Sequence, residues 1–239
     1  MWSGNFRVTI ARYALGLATS FDLVEAADAA LTRGVYSYSL GELATMSSPT
    51  MADAGPMFAA ALGELEIPLP SRKEAARVLA LVVCSRLVEG SADGVWEVLR
   101  KVCDWSEGDD KLDRALSEEC ELRLKYFFYS YDNFTEPEVS DWAASGLAEL
   151  HADLVQEATK WIRERGGVRV DPSWLRWNDG TVLKIARGIA DERAFDRLSI
   201  LHDALIDAGC DNEDILAHLR EPGKHATRCW VVDLLLGIQ

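Results

Sequence analysis

Several things are scarce in this chain of 239 residues. No apolar run approaches the roughly 18 residues that a bilayer-spanning helix needs. The longest, VLALVVC at 78–84, suits a buried core helix instead. Strand patterns are nearly missing: only GVRVDPSWLRW at 167–177 offers a short extended piece before Pro172. No GxSxG, HExxH, phosphate-cradling glycine loop or GxGxxG after a strand is present, which removes the reaction classes those motifs announce. Histidine is limited to 4 residues and cysteine to 5. The cysteines Cys84, Cys103, Cys120, Cys210 and Cys229 are odd in number and widely spaced, so no disulfide framework is expected; reduced, buried thiols are. Arg12 interrupts the apolar stretch near the N-terminus and no cleavage site follows it. No signal peptide is therefore expected, and the cytoplasm is the expected location.

Positive charge is also short. Against 39 acidic side chains stand 25 basic ones, a net charge of -14. Most of the excess falls before residue 168, where 27 Asp and Glu face 16 Lys and Arg. Such a surface repels phosphates, so neither nucleic acid nor an anionic membrane is expected as a partner. It steers a basic protein toward itself, and it also serves solubility alone.

What the sequence does hold is helical periodicity from end to end, which predicts an all-α fold. FDLVEAADAALTRG places Leu23, Ala26, Ala27, Ala30 and Leu31 on one face, with Gly34 placed to end the helix. In TMADAGPMFAAALGELEI the apolar face is Met57, Phe58, Ala61, Leu62 and Leu65, and Gly55-Pro56 is read as a break or a start. PLPSRKEAARVLALVVCSRLVEG opens on a capping box, Ser71 with Glu74, and Gly90 stops it. KLDRALSEECELRLKYFFYSYDNF reads as one long helix. The segment up to Gly166-Gly167 follows as one helix or two. After NDG at 178–180 four short helices are predicted. The expected organisation is an acidic helical domain over 1–167, a tryptophan-rich ordered linker over 168–178 and a small helical module over 179–239.

Chemistry concentrates near the C-terminus. Cys210, His218, His225 and Cys229 are four ligands of the types that hold tetrahedral zinc, though no pair is Cys-x-x-Cys. A helix starting near Lys224 would put His225 and Cys229 on one face. The same residues also suit packing and helix capping, which is the simpler reading, and Cys229 with His225 has the elements of a nucleophile and base. His202-Asp203 with His151 raises the thought of a metal-dependent hydrolase. Paired carboxylates such as Glu118-Glu119 sit on expected solvated faces, and Asp211 or Asn212 is placed as a helix N-cap. The aromatic run at 126–131 offers Tyr126, Tyr129 and Tyr131 as protein-contact residues or as a core helix with tyrosines reaching solvent. Trp230, Val231, Leu234 and Leu235 are the expected core of the C-terminal module, packed on Ile200, Leu201 and Leu205.

The stretches FDRLSILHDAL, AGCDNEDILAH and CWVVDLLLG, within 179–237, resemble a short C-terminal module that recurs in uncharacterised proteins of large-genome bacteria. The resemblance covers about a quarter of the chain and implies a companion module without an attached activity. Leu219 stands where that pattern commonly has cysteine, and His202 where it has a small residue. The N-terminal part, with DLVEAADAAL and LGELEIPLPS, is similar in a general way to small helical bacterial proteins, immunity-type proteins among them. These observations together predict a non-enzymatic protein-binding module, immunity- or antitoxin-like or an adaptor, with no cofactor other than a structural zinc. The alternatives are a hydrolase around His202-Asp203 and a purely structural zinc-stapled companion domain.

Overall fold

The structure, a computed structural model, describes residues 5–90, 92–103, 111–135, 140–220 and 229–237. Among these every regular element is helical, so the protein is all-α. The contact pattern divides the chain into two compact units. One comprises Met1–Ala80 with Trp105–Arg123, the other Leu81–Asp104 with Leu124–Gln239. Residues 81–104 and 124–167 thus group with the C-terminal helices in the second unit.

The first unit holds α1 (Phe6–Ala14), α2 (Ser20–Thr32), α3 (Tyr38–Ala44), α4 (Met51–Glu64), the start of α5 (Arg72–Glu89) and α7 (Lys111–Cys120). Its core gathers Ile10, Leu23, Ala27, Leu40, Leu43, Phe58 and Leu62. Phe58 is fully buried, with the edges of Phe6 and Tyr13 packed around it at 5.7 and 5.2 Å. Polar ties fix the order of the helices. The Ser20 hydroxyl donates to the Pro49 carbonyl at 2.8 Å, and the Ser39 backbone N–H and hydroxyl donate to Glu64 at 3.0 and 2.6 Å. The start of α2 therefore lies beside the start of α4, and α3 runs back between their ends.

The capping box at the head of α5 is present: the Ser71 backbone N–H and hydroxyl both donate to Glu74, at 2.9 and 2.7 Å. Gly34, with φ at +82°, ends α2. Pro56 does not break α4. Thr50 caps that helix six residues earlier, and Pro56 forfeits one backbone donor inside it. The long helix expected over 111–134 is split. Glu121 adopts φ of +54°, its neighbour Leu122 donates back to the Leu116 carbonyl at 3.0 Å, and α8 (Lys125–Thr135) starts afresh. The break lets both Leu122 and Leu124 be buried, which a continuous helix would not.

The second unit holds the end of α5, α6 (Ala92–Cys103), α8, α9 (Ser140–Arg165), α10 (Pro172–Arg176), α11 (Thr181–Glu192), α12 (Leu198–Asp207), α13 (Glu213–Arg220) and α14 (Trp230–Leu236). Helix α9 is single, and Gly166-Gly167 closes it as expected. The expected linker contains α10, N-capped by Asp171, with Trp174 buried. Helix α14 packs on α11 and α13. Trp230, Val231 and Leu235 are core residues as expected, and Val232 joins them; Leu234 is only half-buried. Leu201 and Leu205 are buried on α12, but Ile200 points to solvent, so it is not part of that core. The partner face is Val182, Ala186 and Ile189 of α11. No described helix is long and apolar enough to cross a membrane.

Candidate functional site

Three segments of the second unit bring one donor each to a single point. From Leu79 to Glu89 helix α5 buries every residue but Val82 and Arg86, and its last residue, Glu89, is carried inside with it. Helix α13 buries Ile215, Leu216 and Leu219, and His218 shares that face by helical spacing. Asn212 caps α13, its side-chain oxygen accepting from the Asp214 and Ile215 N–H groups at 3.0 and 3.2 Å. Cys229 is buried in extended backbone, φ -130° and ψ 120°, immediately before α14.

His218 Nε2 lies 3.0 Å from Glu89 Oε1 and 3.4 Å from Cys229 Sγ. The backbone N–H of Trp230 donates to the same Glu89 oxygen at 3.3 Å. The Trp230 ring stands 5.0 Å from the imidazole, tilted by 55°, close enough to favour a cation there. Among the described residues, Glu89, His218 and Cys229 form the group whose ligand atoms all lie within 4.8 Å of one another.

Burial opposes a charge on His218. The Glu89 carboxylate and the hydrogen bonds to Cys229 and Glu89 outweigh it and raise the imidazole to about 10. The folded, metal-free protein therefore keeps a proton that an unfolded histidine releases near 6.5. That stabilisation is complete below about pH 6.5 and is lost as pH rises through about 10. Urea unfolding of metal-free protein at about pH 6, 8 and 10 should show a fall of up to about 4 kcal/mol that a His218→Asn variant lacks. Equal pH profiles for the two proteins would contradict this ion pair.

The expected metal set is thus only partly assembled. His218 and Cys229 meet, whereas Cys210 does not join them. Cys210 is buried behind the turn at Gly209, and burial, with Asp211 adding to it, pushes its thiol up against an opposing hydrogen bond from the Asn212 backbone. His225 lies outside the described residues. The helix meant to align His225 with Cys229 does not include Cys229, whose backbone is extended. Nor is Cys229 arranged as a nucleophile. Its sulfur is buried, and it addresses the same histidine nitrogen as the carboxylate, whereas a relay triad uses both ring nitrogens.

His202 and Asp203 do not form a metal centre with His151 among the described residues. His202 Nε2 faces the Arg220 guanidinium at 3.4 Å and so acts as acceptor, leaving Nδ1–H to donate to Asp203 at 2.9 Å. Asp203 is 79% exposed, and His151 instead lies on α9 with its ring 6.4 Å from Trp96. On α8, Tyr126 and Tyr129 face solvent at 69% and 47% exposure. Tyr131 is not an open contact residue: it stacks on Trp96 at 4.2 Å.

Glu89 is the member that the sequence reading missed. One signal was available: an acid at the C-terminal end of an apolar helix opposes the helix dipole, so it needs a cationic partner there. Comparison with family models, with curated proteins and with solved structures finds no match for this chain.

Proposed function

We propose that the protein is a non-enzymatic binding module that holds a basic protein partner, in the manner of an immunity protein, an antitoxin or an adaptor. The observation that carries this reading is the pair Tyr126 and Tyr129, presented to solvent one helical turn apart on α8, in a chain of net charge -14. Tyrosine offers contact area at small cost in side-chain entropy and is enriched at binding hot spots. The acidic charge supplies steering toward a cationic partner.

The test is affinity capture with the full chain, identification of the captured protein, and titration of the pair in solution. Tyr126→Ser/Tyr129→Ser should weaken the captured partner's binding by about 10- to 100-fold. Raising the salt should slow association markedly, because exposed charges are screened within about 10 Å at 0.1 M. A captured partner whose affinity survives the double substitution, and whose association rate ignores salt, would overturn the reading.

A further inference from the structure

We propose that Glu89, His218 and Cys229 form a binding site for a divalent transition metal, zinc by preference, which ties the end of α5 to α13 and to the start of α14. This is independent of the protein-binding reading: α8 takes no part in the site.

The first ground is convergence. Glu89 Oε1 and Cys229 Sγ address one nitrogen, His218 Nε2, from different segments, at 3.0 and 3.4 Å. A tetrahedral zinc with its usual bond lengths separates its nitrogen and oxygen ligands by ~3.3 Å and its nitrogen and sulfur ligands by ~3.5 Å. The donors thus stand within a few tenths of an ångström of metal-ligand spacing on the two measured edges. Three donors around one point suit a cation at that point; a proton relay would string them along both sides of the ring.

The second ground is donor chemistry. Thiolate and imidazole with one carboxylate favour zinc or its neighbours in the first transition row over magnesium and calcium, which prefer oxygen donors. Charge also closes. Ligation is by imidazole, carboxylate and thiolate, any displaced proton leaving to solvent. Carboxylate and thiolate then neutralise the dication, so no net charge is buried. The Trp230 N–H on Glu89 Oε1 at 3.3 Å supplies the outer contact that orients a ligating carboxylate. Three protein ligands leave a fourth coordination position for water or another donor.

Cobalt(II) is the probe, added to chelator-treated full-length protein and then displaced with zinc. One equivalent of cobalt should produce an intense thiolate-to-metal band in the near ultraviolet, and one equivalent of zinc should abolish it. Cys229→Ser should remove the band, Glu89→Gln should weaken cobalt binding at least 10-fold, and Cys210→Ser should leave both unchanged. Glu89→Gln keeps the side chain's shape, so it decides the matter even where Cys229→Ser fails to fold. No band with folded wild-type protein, a band that persists in Cys229→Ser, a band that depends on Cys210, or undiminished affinity in Glu89→Gln would each overturn the proposal.

Discussion

His218→Ala in metal-free protein at neutral pH should lose about 3–5 kcal/mol of stability, the cost of removing one partner from a buried ion pair. The substitution strips the cation facing Glu89, a carboxylate that is only 7% exposed. The Trp230 N–H stays on that oxygen, and a neutral donor at 3.3 Å is weaker than an imidazolium at 3.0 Å. A stronger form of the prediction concerns the pair. Glu89→Leu/His218→Leu replaces both charges by apolar groups, and it should recover more than half of the loss because neither desolvated charge survives. Urea denaturation of the three proteins tests this. A loss below about 1 kcal/mol for His218→Ala would mean that the pair is solvated enough to matter little. A double variant no more stable than His218→Ala would show that packing, rather than charge, sets the cost.

The parts of the fold that could be read from sequence are those decided locally. The Ser71–Glu74 box and the positive φ of Gly34 each depend on residues within one turn, and both appear where local rules put them. The break at Glu121 carried no such sign. A non-glycine residue takes the left-handed conformation there so that Leu122 and Leu124 can both be buried, and that requirement comes from tertiary packing. The grouping of 124–167 with the C-terminal helices was hidden for a related reason. Helix α5 buries nearly every residue from Leu79 to Glu89, so its pattern names no preferred face and no partner.

The site divides the same way. His218 and Cys229 stand eleven residues apart and drew notice by residue type alone. Glu89 reaches its partners across 141 residues of chain to Trp230, a separation that composition and spacing cannot bridge. Cys210 was grouped with them by nearness in sequence. The turn at Gly209 and the cap at Asn212 direct it elsewhere.

Trp230 is where the core and the site meet, and its substitution separates two contributions. Its ring is buried, packs beside His218 and lines a cavity of about 180 Å³ with Val88, Ile162 and Leu234. Trp230→Ala should cost about 3–5 kcal/mol, because the void it leaves adjoins existing empty space and α14 is too short to collapse into it. The indole N–H, however, is buried without a hydrogen-bond partner among the described residues. An unpaired buried donor is itself destabilising, so deleting it returns part of what the lost ring area takes away. Trp230→Phe keeps most of the aromatic contact and removes that donor; it should therefore cost less than about 1.5 kcal/mol. Thermal and urea unfolding of the two variants measure the difference. A Phe variant as damaged as the Ala variant would mean that the indole N–H is hydrogen-bonded in solution. An Ala variant within about 1 kcal/mol of wild type would mean that α14 is not the packed element it is taken to be, and the geometry around Glu89, His218 and Cys229 would lose its support with it.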